Sequence, residues 1–350
     1  MKFPFKKKES YLTRMLILRF SAMGDVAMTV PVIHSLASQH RDLRITVVTR
    51  NRFVAMFQWL PANVEVKGFD IDAYEGVTGL TKLFNELKKT KYDIVADLHD
   101  VLRTKYLRTC FRMASAKVAV VDKGKKEKNA LIGKGQTAET LKPMVERYAE
   151  VFRELGFPVE VDFKKAFNPL TENFKDVRDV VGKKGEGEKW IGIAPFAAHP
   201  QKVYPLDKMH IVANMLCDKG YKVFLFGAGN ERQELESWER DGVKSVCGQL
   251  GSLTNEMLLM SQLDVMVSMD SANMHIASLV GTPVVSVWGA THPKAGFVGY
   301  GQGTDGIVEM DLPCRPCSIY GNQPCKLGDT KCLNDILPER IVQKVEDKIK

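Results

Sequence analysis

No stretch of this chain holds the roughly 18 to 20 consecutive apolar residues that a helix needs to cross a bilayer, so its 45% hydrophobic content belongs to a packed core. The first ten residues, Met1–Ser10, are basic but lack the small-residue cleavage site of a secretory signal. They lead into a strand-like Met15-Leu16-Ile17-Leu18-Arg19, and the chain is expected in the cytoplasm. A full dinucleotide fingerprint is missing: after Gly227-Ala228-Gly229 no third glycine follows at the spacing the motif needs. No internal repeat and no base-reading nucleic-acid module is recognisable, so a net charge of +8 points away from nucleic acid and toward small anions or an anionic surface.

At 350 residues the chain exceeds what one core usually fills. Apolar runs of strand length alternate with amphipathic stretches of helix length. Strands are expected at 15–20, 44–49, 63–67, 92–98 and 117–121, then at 190–195, 221–226, 243–246, 263–269 and 284–288, with a long helix near 138–155. This alternation predicts two α/β domains with doubly wound parallel sheets. The polar Lys183-Lys184-Gly185-Glu186-Gly187-Glu188 suggests a linker, giving domains at 1–165 and 189–335, a linker region at 166–188 and a C-terminal helix at 336–350, expected to pack back on the first domain. Ligands of such sheets bind beyond the carboxyl ends of the strands, so a central cleft between the domains is the expected site.

The charge is concentrated. Between Arg103 and Arg147 stand 12 Lys and Arg against four acids. This segment reads either as a solvated surface with a lysine-rich loop at 123–128, or as an anion-binding acceptor face beside a membrane.

The motifs fall just after strands. Ser21-Ala22-Met23-Gly24-Asp25 follows the first, where Asp25 reads as a helix N-cap or as a general base facing the cleft. Lys202-Val203-Tyr204-Pro205 follows the sixth, and Lys202 reads as an exposed loop lysine or as a partner for a diphosphate. Glu231, after the glycine turn, could accept ribose hydroxyls. Val265-Met266-Val267-Ser268-Met269-Asp270 runs into Ser271-Ala272-Asn273-Met274-His275, the kind of strand end and helix start that holds phosphate. His275 reads as a core or capping histidine, or as a phosphate contact.

Together with Gly281-Thr282-Pro283, these segments resemble glycosyltransferase family 9, the ADP-heptose:lipopolysaccharide heptosyltransferases, from Arg19 to about Cys332. The resemblance implies a GT-B fold, with two Rossmann-like domains, the N-terminal one binding the acceptor and the C-terminal one the sugar nucleotide. It also implies inverting transfer of heptose from ADP-heptose to the inner core of lipopolysaccharide, with no cofactor or catalytic metal. Asp25 matches the family's catalytic base. Lys202, Glu231, Asp270, Ser271, Ala272 and His275 match its donor-binding residues, with Ala272 in place of the usual glycine. Ser21 and Arg103 are expected to meet the acceptor, a lipid A-core molecule at the inner face of the inner membrane. Another nucleotide sugar as donor, or a nucleotide-binding oxidoreductase, remains the alternative reading.

Four of the seven cysteines cluster as Cys314, Cys317, Cys325 and Cys332. Thiols so close in a reduced compartment suggest a structural zinc holding the loop between 311 and 335, with reduced thiols or a disulfide as the other readings.

Overall fold

The computed structural model describes residues 12–134 and 139–349; the basic Met1–Ser10 run and the first residue of the helix expected at 138–155 lie outside them. One sheet is built from β1 (Arg14–Leu18), β2 (Arg44–Arg50), β3 (Val64–Phe69), β4 (Ile94–Asp97) and β5 (Lys117–Val120), in the order β3-β2-β1-β4-β5. The other holds β6 (Trp190–Ala194), β7 (Lys222–Leu225), β8 (Val243–Ser245), β9 (Val265–Met269), β10 (Val284–Trp288) and β11 (Ile307–Glu309), in the order β11-β10-β9-β6-β7-β8. Every neighbouring pair is parallel.

The sequence explains which strands are central. β6, β9 and β10 are buried at every residue, as unbroken apolar runs covered on both faces by helices must be. β3 carries Glu65 and Lys67 and lies at an edge, where one side meets water. All ten expected strands are present, and β11 is an addition at the opposite edge of the second sheet. Its three residues, Ile307-Val308-Glu309, are too short to give a periodic signal.

Two expectations change. The C-terminal helix, Pro338–Ile349, lies on the second domain rather than returning to the first. Its buried stripe of Ile341, Val342 and Val345 joins the cluster of Met209, Val212 and Leu216 from the helix Leu206–Asp218, as an amphipathic helix does when its nearest apolar neighbour is in its own domain. The region 166–188, expected as a linker, carries the helix Lys175–Val181, whose Val177 and Val181 are buried against the helix Leu253–Met260.

Each sheet reverses its strand order at one place. In the first sheet the chain runs outward from β1 through β2 to β3, then returns to β4 on the other side, so the reversal lies between β1 and β4. In the second it lies between β6 and β9. At such a point the loops after the two central strands diverge and leave a crevice. The two crevices face each other, because the short helix after β1, Met23–Ala27, packs on the helix after β9, Ala272–Leu279. Among the described residues, no helix is long and apolar enough to cross a membrane.

Candidate active site

The first crevice is made by the segments that follow β1 and β4. Asp97, the fully buried last residue of β4, accepts the backbone N–H groups of His99 and Asp100, each at 2.9 Å, and an N–H of Arg108 at 2.7 Å. That carboxylate folds the loop back and brings His99 next to β1. Arg19, directly after β1, is buried; one N–H donates to the carbonyl of Leu98 at 2.6 Å, and Nη2 meets Asp25 Oδ2 at 2.5 Å. Asp25 is thus an ion-pair partner, and Ala22 rather than Asp25 is the N-cap of its helix. The Asp25 side chain keeps 31% of its exposure and opens onto the crevice.

His99 Nε2 lies 3.3 Å from Ser21 Oγ, while the Phe20 N–H points at Nδ1 from 3.5 Å. An accepting Nδ1 leaves the proton of a neutral ring on Nε2, directed at Ser21. The ring is neutral: burial, helped by the nearby Arg19 and Lys123 charges, lowers its pKa to about 3.

Arg19, Ser21, Asp25 and His99 line a cavity of about 160 Å³ with Lys123, Lys128 and Tyr320. Lys128 is 1% exposed, its Nζ placed 3.0 Å from Met144 Sδ and 4.2 Å from the centre of the Phe297 ring. Burial first, then Arg147, pushes its pKa down to about 8. The cavity therefore holds two lysines and an arginine against one carboxylate.

In the second crevice, the loop after β6 brings Lys202 to the residue directly after β9: Lys202 Nζ and Asp270 Oδ2 are 2.9 Å apart, with 15% and 7% of their side chains exposed. Thr291 Oγ1 donates to the same oxygen at 2.8 Å. Lys202 is covered from behind by Gly321, which has a φ of +76° and whose added Cβ would stand 2.5 Å from the lysine side chain. A larger residue could neither adopt that backbone easily nor fit there. Ser271 precedes the helix Ala272–Leu279 without capping it, its hydroxyl 3.2 Å from that of Ser268. The first-turn N–H groups of that helix accordingly open on the cleft, with the positive end of its dipole.

His275 is buried on the same helix, and its Nδ1 has no hydrogen-bond partner. Burial outweighs the pull of Asp270 and Asp25 and lowers its pKa to about 4, so the ring is neutral and able to donate one N–H. Glu231 Oε2 accepts the Ala228 N–H at 2.7 Å and so closes the glycine turn after β7.

Asp25, Lys202, Glu231, Asp270, Ser271, Ala272 and His275 all line one cleft of about 620 Å³ between the domains. Ser21 lies in the adjoining small cavity, and Asp25 and Ala22 border both. Arg103 is not brought in; it is outside both cavities, 3.2 Å from the exposed Asp72. Arg19, His99, Lys123, Lys128, Tyr320 and Glu256 line these cavities without having been singled out. For Arg19 and His99 the available signal was position, each directly beyond a central strand; Tyr320 had none.

The four clustered cysteines lie within electrostatic reach of one another, Cys314, Cys317 and Cys325 all acting on the Cys332 thiol. Among the described residues, no group of three or more His, Cys, Asp or Glu side chains is arranged to hold a metal ion, and all seven cysteines are free thiols. Burial raises the pKa of Cys332 to about 11 and also raises that of Cys317, whereas backbone N–H groups around Cys325 lower its own. The loop is tied by Arg315, 1% exposed, which donates to the carbonyls of Gly289 at 2.7 Å and Thr291 at 2.9 Å and pairs with Glu309 at 2.9 Å. A buried guanidinium satisfied this fully anchors the loop to the segment after β10.

Residues 80–325 match the sequence model of glycosyltransferase family 9 (heptosyltransferase). Lipopolysaccharide heptosyltransferase 3 of Escherichia coli is 27% identical over 282 residues, covering 77% of this chain and 81% of that protein. Lipooligosaccharide heptosyltransferase 2 of Campylobacter jejuni is 21% identical over 331 residues, covering 93% and 95%. Among solved structures, a family 9 glycosyltransferase of Veillonella parvula superposes with a TM-score of 0.74 at 19% identity over 97% of each chain. The E. coli heptosyltransferase WaaC with ADP gives 0.67 at 18% identity over 96% of this chain and all of the other; it is also known with ADP-2-deoxy-2-fluoro heptose. At such identities the structural likeness speaks for the GT-B fold.

Proposed function

The chain belongs to glycosyltransferase family 9 and is a glycosyltransferase; we propose that it moves heptose from ADP-heptose to the inner core of lipopolysaccharide, with inversion at the anomeric carbon and without a catalytic metal. The donor reading is supported by the similar heptosyltransferases, one of which is known with ADP and with an ADP-heptose analogue. In this reading the N-terminal domain holds the acceptor and the C-terminal domain the donor.

One observation carries the proposal. Asp25 stands where the large cleft and the small basic cavity meet, on a helix packed against the helix of His275. A nucleotide sugar brings its own activation, so the protein must meet the charge that develops on the leaving diphosphate and remove the proton of the attacking hydroxyl. In this reading Lys202, the N–H of His275 and the first-turn N–H groups beyond Ser271 perform the first task, and this concentration of donors can meet the charge without a divalent cation. In the same reading Asp25, approaching from the opposite domain, performs the second. A base on one side of the sugar and a leaving group on the other give inversion. Arg19 fixes the carboxylate from behind through its ion pair.

The acceptor then lies in the first crevice. Lys123, Lys128 and Arg19 around the small cavity suit a carboxylate or phosphate beside the reacting hydroxyl, as the sugars and lipid of the inner core carry. Ser21 closes that cavity, and peripheral contact with the inner membrane would bring the acceptor within reach. The test is incubation of the protein with a panel of nucleotide sugars and a defined lipopolysaccharide precursor, read by mass spectrometry. One heptose added from ADP-heptose alone is expected. Transfer of a different sugar would replace the donor, and release of oxidised product with a nicotinamide cofactor would overturn the transferase reading of the cleft.

A further inference from the structure

A further carboxylate, Glu256, lines the large cleft with Phe226, Gly227, Ala228 and Glu231. It makes no hydrogen bond or ion pair with another described side chain, and burial alone pushes its pKa up to about 6. Its neighbours are already engaged: the Cys247 thiol donates to the carbonyls of Gly227 at 3.2 Å and Ala228 at 3.0 Å, and Asn255 donates to Leu250 at 2.8 Å. The start of its helix, Leu253–Met260, is closed as well, since Ser252 Oγ accepts the Asn255 N–H at 3.1 Å. A desolvated acid with nothing to bind inside the protein, lining an open cleft, is a group held ready for a ligand.

The sheet order says which part of the ligand arrives there. From the phosphate-binding segment after β9, the sheet proceeds through β6 and β7 to β8, whose following segment leads into the helix of Glu256. Three strand spacings amount to about 14 Å. A nucleoside diphosphate with its phosphates at Lys202 and Ala272 passes Glu231, beyond β7, with its ribose, and brings its base to Glu256, beyond β8. At neutral pH a carboxyl with a pKa of about 6 is mostly ionised and offers only acceptors.

Resting on the nucleotide-sugar reading above, we infer that Glu256 accepts a hydrogen bond from the exocyclic amino group of the donor's base and thereby selects an adenine nucleotide over one with a carbonyl at the same position. A carbonyl oxygen there would face the carboxylate lone pair to lone pair and forfeit this hydrogen bond.

The test is calorimetric titration of the full chain with ADP and with inosine diphosphate, which differs at that position by amino group against carbonyl. The wild-type protein should bind ADP at least about tenfold more tightly, the span of one charge-assisted hydrogen bond. In Glu256→Gln, whose amide can donate to the carbonyl, the ratio should shrink severalfold, mainly through tighter inosine diphosphate binding. In Glu256→Ala it should shrink through weaker ADP binding. Glu256→Gln keeps the shape of the side chain, so an unfolded alanine variant does not remove the test. Tight ADP binding with the same ratio in wild type and Glu256→Gln overturns the role of Glu256 alone. Failure of the wild type to bind either nucleotide overturns the nucleotide-sugar reading and this inference with it.

Discussion

Gly24 of the first domain and His275 of the second touch so closely that a Cβ on Gly24 would lie 2.8 Å from His275 Cδ2. The hydrogen at position 24 is what lets the helix bearing Asp25 approach the helix bearing the phosphate-binding N–H groups. Gly24→Ala should therefore separate the proposed base from the donor while leaving each domain folded. A misplacement of about 1 Å costs on the order of a hundredfold in rate. Turnover should fall by about that factor with ADP affinity changed much less, and full turnover in Gly24→Ala would show that the contact is not needed.

Lys202 and Asp270 form a pair at the cleft wall, backed by Gly321. Removing the ammonium leaves a nearly buried carboxylate with only the Thr291 hydroxyl, which costs about 3 kcal/mol. Lys202→Met should lower stability by that order in denaturant titration and weaken ADP binding as well. Loss of stability with unchanged ADP affinity would confine Lys202 to a structural role.

Lys128 gives an alkaline signature. Its folded-state pKa of about 8 lies below its ordinary 10.5, so between those values the unfolded chain binds more protons and stability rises with pH. Below pH 8 both states are protonated and burial of the ammonium costs about 3 kcal/mol. Lys128→Met should be more stable than the wild type at pH 7 by up to that amount and should lack the rise between pH 8 and 10.5. An anion in the small cavity should reduce the wild-type cost, seen as a higher melting temperature with added phosphate that Lys128→Met does not share.

His99 and His275 give the acid counterpart. Both are held neutral, with pKa values near 3 and 4 against an ordinary 6.5, so the unfolded state takes up protons first as pH falls. The stability they support is complete above pH 6.5 and is lost below it, by about 4 kcal/mol for the two together at pH 5. His99→Gln should flatten the dependence between pH 6.5 and 5 by about half, measured by denaturant titration at fixed pH values. An unchanged slope would mean that His99 is not held neutral.

Much of this was legible because central parallel strands announce themselves. Runs such as Val265-Met266-Val267 are apolar on both faces, and the residues beyond them, Asp25, Lys202 and Asp270, fall at the strand-order reversals by necessity. Charge was harder to read. Within the lysine-rich stretch, Lys125 and Lys126 are exposed while Lys128, on the same short helix, turns inward. One helical turn separates solvated charge from cavity lining, and six residues of helix are too few for a periodic pattern to reveal it. Arg103 lies outside both cavities, and for the same reason the basic segment does not say which of its residues face them. In the cysteine-rich loop the anchoring by Arg315 leaves no local trace, because its carbonyl partners lie 24 and 26 residues away.

In the proposed mechanism Asp25 takes the proton of the acceptor hydroxyl across the cleft from the bound donor. The direct measurement is steady-state turnover of Asp25→Asn with ADP-heptose and a defined inner-core acceptor, alongside its ADP affinity by calorimetry. The expected result is turnover reduced by roughly a hundredfold or more, with ADP affinity within about twofold of wild type. Turnover within a few fold of wild type would contradict it.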